Sequence, residues 1–217
     1  MLSFGFTALH LCRLLWHRFS AKLEEMKQKV AKYISIIGHP LITIPLFVII
    51  TTFSQSDLKK ALFISFLIIG CIFVPIVLQL YRKSKNGTYT NFDVSDRKQR
   101  KSMYLFILPL LLVVTVVLYL SGQPANLCLS VFCALMLIFI SQLVNFFVKS
   151  SLHVSMNIYL SFLIMPINTI TGIIVLLFTG LIAWSRIVLG RHTFKEVWVG
   201  TILGLIIGLI MFALVKN

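Results

Sequence analysis

The residues best suited to chemistry lie in one short polar segment late in the sequence. His192 is followed four residues later by Glu196, and Arg186 precedes it by six. A four-residue spacing puts two side chains on one face of a helix, so the carboxylate can orient the imidazole as a nucleophile or base. A guanidinium adds a permanent charge and a planar fork that suits phosphate. The segment predicts a phosphate-directed histidine site, with an ordinary basic interfacial loop as the alternative.

A second polar segment, Lys149-Ser150-Ser151-Leu152-His153, stands directly before a long apolar stretch. At the start of a helix, a cation, two hydroxyls and an imidazole would act with the free backbone N–H groups in binding an anion. The alternative is a serine helix cap beside a lysine at the membrane surface.

A third polar segment, residues 96–101, precedes another apolar stretch and carries Arg97 and Arg100 three residues apart. In a helix this spacing places both side chains on one face, where they could hold an anion. Taken alone, the segment is more typical of a solvated charge cluster at a membrane boundary.

The overall composition excludes a water-soluble enzyme. Of the 217 residues, 59% are hydrophobic and only 12% are charged, whereas soluble domains have about 45–50% and about 25%. The formal net charge of +14 could attract nucleic acid, anionic lipid or phosphate. Because the aromatic residues lie in the apolar stretches rather than among the cations, we predict no nucleic-acid partner and favour membrane lipids and phosphate.

Apolar stretches that could cross a bilayer, which takes about 20 residues, recur along the chain: 34–53, 61–81, 103–121, 127–148 and 197–215. As one helix, the longer stretch 154–184 would measure about 45 Å and exceed a hydrocarbon core of about 30 Å. Pro166 and the polar residues after it predict that this stretch divides into two helices near 166–169.

We therefore predict an all-α integral membrane helical bundle with six or seven transmembrane helices over residues 34–217. Residues 1–33 are predicted to form an amphipathic segment at the interface, with a leader ending before Met26 as the alternative. In a seven-span topology the three polar segments share one face. The excess of Lys and Arg there predicts a cytoplasmic face, in a bacterial inner membrane. His39 lies early in the first span, where we expect a capping or packing role outside the site.

The three polar segments together resemble the motifs of one enzyme family. Ser185-Arg186-x5-His192-x3-Glu196 is similar to the SR-x5-H-x3-D signature of the type 2 phosphatidic acid phosphatase superfamily. Ser151-Leu152-His153 resembles that family's PSGH motif, and the third segment stands where its K-x6-R-P motif belongs. The resemblance covers residues 90–205, with the motifs in the family's chain order.

This resemblance implies that His192 is the nucleophile and forms a phosphohistidine, held and polarised by Glu196. His153 would protonate the leaving oxygen as the general acid. The phosphoryl oxygens would be bound by residues of all three segments: Arg186, Ser151, Arg100, and Arg97 or Lys149. Such a site is expected to use no metal and no cofactor, because positioning and fixed positive charge supply the catalysis.

The sequence departs from the family pattern in each motif. Glu196 replaces an aspartate and adds one methylene. Ser150 and Leu152 stand where the family has proline and glycine. The first motif is incomplete, because Asp93 sits seven residues before Arg100 and no proline follows that arginine.

We therefore expect a membrane lipid phosphatase acting on a lipid phosphate or a polyprenyl diphosphate; phosphatidate and phosphatidylglycerol phosphate are further substrates left open. The alternative is a non-catalytic membrane protein of the same fold that binds lipid phosphate. A transporter is disfavoured, because it would need polar groups near the bilayer midplane rather than at the interface. The sequence leaves the oligomeric state open.

Overall fold

The computed structural model describes the backbone of residues 3–90, 93–94 and 96–216, and the side chains of residues 16–90, 93–94 and 96–215. Throughout these residues the regular structure is helical. The helices follow one another as α1 (Ser3–Ile37), α2 (Pro40–Gln55), α3 (Leu58–Ser65), a π segment (Phe66–Phe73), α4 (Val74–Lys85), α5 (Arg97–Leu120), α6 (Ala125–Val144), α7 (Leu152–Ile164), α8 (Thr169–Val188) and α9 (Phe194–Lys216).

The helices have the length and composition of a multi-pass membrane protein. Within the described residues, five helices are long and apolar enough to cross a bilayer, and the first of them, Leu58–Lys85, joins α3, the π segment and α4. A sixth span is possible if α1 and α2, which are bent by 42° at their junction, cross together. The predicted all-α membrane bundle is confirmed.

The boundary predicted for the first span is wrong by several residues. Helix α1 continues to Ile37, and α2 begins only at Pro40. Proline has no N–H to continue the α1 ladder but suits the first position of a new helix. His39 caps that helix, because its Nδ1 accepts a hydrogen bond of 3.1 Å from the backbone N–H of Leu41.

The predicted division of the stretch 154–184 is present. Helix α7 ends at Ile164, and α8 begins at Thr169 with Asn168 as its cap. Helix α7 has only 13 residues, about 20 Å of length. Because its residues from His153 to Phe162 are all buried, the neighbouring helices rather than lipid surround it.

Helices α7 and α9 touch through backbone because three glycines face α7. Gly200, Gly204 and Gly208 repeat every four residues along α9. A Cβ atom at Gly200 would lie 2.6 Å from the carbonyl oxygen of Ser151, and one at Gly204 would lie 2.7 Å from that of Ser155. Small residues at this spacing allow close helix approach. The contact fixes the start of α9 against the start of α7, where two of the polar segments lie.

Alanine at Gly200, which faces α7, and at Gly180, a glycine of α8 with open space around it, is expected to change the stability in opposite directions. Alanine raises helix propensity by about 1 kcal/mol over glycine. We expect Gly180→Ala to be neutral or stabilising, since no atom lies within 4 Å of the new methyl group. Gly200→Ala should instead lower the free energy of unfolding by about 1–3 kcal/mol, because backbone must move. Thermal unfolding in detergent measures both, and equal shifts would contradict the packing role of Gly200.

Candidate functional site

The three polar segments meet at one end of the bundle. The starts of α5, α7 and α9 and the end of α8 are joined there by hydrogen bonds between residues far apart in the chain. Arg100 reaches both Ser150 and His192, and the N–H of Ser151 donates to the carbonyl of Glu196 at 3.1 Å. This placement agrees with the common face that the sequence predicted for the three segments.

His192 and Glu196 form the contact that their spacing predicts. His192 Nδ1 lies 2.8 Å from Glu196 Oε2, and His192 Nε2 lies 3.3 Å from Arg100 Nη2. A guanidinium can only donate, so Nε2 accepts and Nδ1 carries the hydrogen that Glu196 receives. Glutamate thus reaches the imidazole at an ordinary hydrogen-bond distance. The lone pair of Nε2 points towards the guanidinium of Arg100.

His192 is neutral in this environment. Burial and the positive charges of Arg100, Arg186 and Lys149 lower the pKa of His192 to about 2. Both causes act against the imidazolium, which would be a charged group in a low dielectric beside three cations. The neutral ring is the nucleophilic form.

Arg100 is a buried charge without a carboxylate partner. Its side chain is almost fully enclosed, with 2% of the residue exposed. Its guanidinium donates to the carbonyls of Val94 and Ser150 and contacts His192. Among the described residues no carboxylate lies within ion-pair distance of it. Burying an unpaired charge is costly, so this end of the bundle favours an anion.

Arg186 is also fully buried, and only one of its three guanidinium nitrogens forms hydrogen bonds within the described residues. Nη1 donates to Asp93 Oδ2 and to Ser35 Oγ, both at 2.8 Å. Its Nε and Nη2, together with Ser151 Oγ and His153 Nε2, are buried atoms without a hydrogen-bond partner among the described residues. Buried polar atoms in native proteins are normally paired. Groups able to donate are thus gathered beside the charge of Arg100.

Asp93 is the site residue whose contacts the sequence analysis did not anticipate. Its Oδ1 lies 3.4 Å from His39 Nε2 and 3.6 Å from His153 Nε2, while its Oδ2 pairs with Arg186. Burial alone would raise its pKa. The His39 hydrogen bond and the charges of His153 and Arg186 outweigh this and hold the pKa well below its usual range. Asp93 is therefore ionised.

His39 belongs to the site as well as to the cap of α2. The predicted capping role is present, but the ring also packs edge-on against His153, with centroids 4.5 Å apart. The sequence did offer a signal for this role, because His39 is an ionisable residue inside an apolar stretch, and such residues often belong to functional sites. The expectation that His39 lies outside the site is therefore wrong.

The backbone beside Asp93 is strained. Val94 is fully buried and has a φ of 46°, a conformation that is unfavourable for a β-branched residue. In this conformation its carbonyl accepts a hydrogen bond of 3.1 Å from Arg100 Nε. Strain of this kind is concentrated at functional sites. In this backbone conformation Asp93 pairs with Arg186, while the carbonyl of Val94 accepts from Arg100.

Three of these residues also have the composition of a metal site. One ligand atom from each of His39, Asp93 and His153 lies within 4.8 Å of the others. However, His39 Nδ1 accepts from the N–H of Leu41, so in the neutral ring Nε2 carries the hydrogen and donates to Asp93. Arg186 holds the second carboxylate oxygen. The set fits a hydrogen-bonded ion-pair network better than a set of metal ligands.

The two candidates for the cation of the first motif are separated by the structure. Lys149 lies in the site, where Nζ is 3.3 Å from Glu196 Oε2 and 3.2 Å from the carbonyl oxygen of Arg191. Arg97 is not brought to the site. Its Nε donates to the carbonyl of Asn145 at 2.6 Å and ties the start of α5 to the end of α6.

No family model matches the chain, and neither a curated protein nor a solved structure is similar enough to it to count as a match. The interpretation of the site therefore depends on the geometry of its own residues.

The low pKa of His192 can be measured directly. Between about pH 4 and pH 7, where a free histidine with a pKa of about 6.5 gains its proton, we expect the His192 ring to stay neutral. Lys149→Met removes one of the cations that oppose the imidazolium, and it also removes an ion pair that competes for Glu196, so the pKa of His192 should rise. Lys195→Met, at an exposed lysine of the same segment, is the matched control. Ring chemical shifts of isotope-labelled histidine report the protonation. A His192 midpoint near 6.5 in the unchanged protein would contradict the environment described.

Proposed function

We propose that this chain is an integral membrane phosphatase that hydrolyses a lipid phosphate or diphosphate through a phosphohistidine. The observation that carries the proposal is the buried guanidinium of Arg100, which faces Nε2 of a neutral histidine and has no carboxylate partner among the described residues. A phosphoryl group is the anion that uses both features, since it satisfies the charge and offers an electrophile to Nε2. The resemblance of the three polar segments to the motifs of the type 2 phosphatidic acid phosphatase superfamily supports the same chemistry.

The proposed reaction has two steps at phosphorus. His192 Nε2 forms a bond to phosphorus as the bond to the leaving oxygen breaks, and His153 donates the proton that this oxygen takes. Water then attacks the phosphohistidine, gives its proton to His153, and the N–P bond breaks to release phosphate. Glu196 accepts from Nδ1 throughout and stabilises the positive charge that develops on the ring. Arg100 and Arg186 stabilise the charge on the phosphoryl oxygens.

The place of the site favours a lipid substrate. The site residues lie at or near helix ends on one end of the bundle. In helices that cross a bilayer, the ends lie where lipid headgroups meet water. The connections between the helices are too short to form a separate domain over the site. The excess of Lys and Arg on this side supports a cytoplasmic site in a bacterial inner membrane.

Phosphate release from lipid substrates tests the proposal. Purified protein in detergent with excess EDTA is given phosphatidate or a polyprenyl diphosphate, and inorganic phosphate is measured over time. We expect release from at least one substrate at a rate unchanged by EDTA, because His192, His153 and the arginines supply the nucleophile, the acid and the charge. A detergent extract from cells without the chain gives the background rate. No release above that background from either lipid would contradict the proposal.

One observation favours the alternative of a protein that binds lipid phosphate without cleaving it. Asp93 occupies one arm of Arg186, at the position where the resemblance expects a lysine, and its charge opposes a second anion. Equilibrium binding of radiolabelled phosphatidate and polyprenyl diphosphate, the two lipids of the release assay, distinguishes the two functions. Saturable binding without phosphate release supports the alternative.

A further inference from the structure

An apolar cavity extends from the site into the bundle. Its mouth is lined by Asp93, Arg100 and His153, and its volume is about 190 Å³. It passes between α2, the π segment, α5, α6 and α7. An engineered cavity of about 150 Å³ lined by aliphatic and aromatic side chains stays dry and binds benzene, so this cavity is large enough to hold hydrocarbon.

The cavity is deep and becomes apolar beyond its mouth. Along α5 its lining extends from Arg100 to Leu111, and along α7 from His153 to Leu163. At about 1.5 Å per residue this is about 16 Å, or about half of a hydrocarbon core of about 30 Å. Ser130 lines the deep part, but its hydroxyl bonds back to the carbonyl of Asn126 at 2.6 Å. The deep part therefore offers dispersion contacts and little hydrogen bonding.

Local features of the sequence account for the space. Pro75 has no N–H, so the carbonyl of Cys71 has no partner four residues on, and the N–H of Val74 bonds to Ile69 in the π pattern instead. The eight-residue π segment that results lines one side of the cavity. On the opposite side, the small side chain of Ala134 contributes little volume.

We infer that the cavity binds the single hydrocarbon chain of a lipid phosphate or diphosphate whose phosphoryl group lies at His192. This inference rests on the proposed function, because that function places the phosphate at the cavity mouth. The cavity volume of about 190 Å³ is little more than the volume of about 150 Å³ that holds one benzene, so it leaves no room for two chains side by side over a depth of about 16 Å. The length corresponds to one leaflet. The substrate class is therefore a monoalkyl or prenyl phosphate rather than a lipid that must place two chains in the protein.

Photochemical labelling locates the chain without requiring turnover. The probe is a 16-carbon alkyl phosphate with a diazirine near the chain end, added to the full-length protein in detergent and irradiated. We expect labels on the deep lining residues Leu111, Leu127 and Val131, reduced at least tenfold by excess non-photoreactive alkyl phosphate. Labels only on outward-facing residues such as Leu112 and Phe132, or labels that the competitor does not reduce, would overturn the inference.

A filling substitution provides the matched test. Ala134→Phe should remove most of the competed label from Leu127 and Val131, whereas Ala213→Phe, at an exposed alanine of α9, should leave it in place. Equal labelling in both variants would also overturn the inference. If Ala134→Phe does not fold, the labelling of the unchanged protein still decides. Because labelling needs no hydrolysis, competed deep labels without phosphate release support the chain site and contradict only the proposed phosphatase.

Discussion

Replacement of His192 with alanine is expected to reduce phosphate release by more than about 10³-fold, because the variant has no nucleophile for the covalent step. Glu196 holds the His192 ring at 2.8 Å, and Nε2 faces Arg100 at 3.3 Å. Among the described residues we assign no second nucleophile at this position. Initial rates with saturating lipid substrate measure the loss. Lipid phosphate binding should survive, since both arginines remain.

The matched control for this experiment is His17→Ala, at an exposed histidine of α1, which should keep the full rate. A second measurement tests the covalent step itself. Protein mixed with ³²P-labelled substrate and quenched under alkaline conditions should carry label in the unchanged form and none in His192→Ala. Full phosphate release by His192→Ala would exclude this residue as the nucleophile.

Replacement of Arg186 with glutamine is expected to cost about 10²- to 10³-fold in kcat/KM, the usual effect of losing one preorganised charge stabiliser. This guanidinium is fully buried, and its Nε and Nη2, which have no hydrogen-bond partner in the described part of the chain, are the donors we assign to the phosphoryl group. The variant should also be less stable by about 3 kcal/mol, because Asp93 then loses its charged partner. Arg18→Gln, at an exposed arginine of α1, is the control.

The double variant Arg186→Gln/Asp93→Asn separates stability from phosphate binding. Removing both charges leaves neither member of this pair as an unpaired ion, so the thermal unfolding temperature should return most of the way to that of the unchanged protein. The rate should remain low, because the donors to phosphate are still absent. Recovery of both properties together would show that Arg186 acts only through the stability of the fold.

The local features of the site could be predicted from sequence because they depend on spacing within one short segment. His192 and Glu196 meet as their four-residue spacing predicts, although His192 precedes α9: Glu196 lies in the first turn of that helix, and its carboxylate reaches back to the N–H of Thr193 and to His192. The same argument predicts the division of the stretch 154–184, since a break there follows from Pro166 and from the length that a bilayer allows. The helical class follows from composition, because lipid demands that backbone groups bond within their own segment.

The contacts across the site could not be predicted, because they join segments 42 or more positions apart in the chain. Arg97 and Arg100 look equivalent in the sequence, because they are three residues apart in the same basic segment. In the structure they point in different directions from α5: Arg100 contacts His192, and Arg97 donates to the carbonyl of Asn145. Asp93 is a loop residue whose direction depends on the strained backbone of Val94. No periodicity fixes a loop of this kind.

The sequence by itself thus determined the helical class, most of the apolar stretches that form helices and the chemical groups available, since these depend on local hydrogen bonding and on apolar length. The tertiary structure alone decided which groups act together. It paired Asp93 with Arg186, His39 and His153, and it left Arg100 without a carboxylate among the described residues. It also brought α9 onto α7 through Gly200 and opened a cavity behind the site. Each of these depends on the packing of helices against one another, which is set by side-chain volumes from several helices at once and not by any one segment.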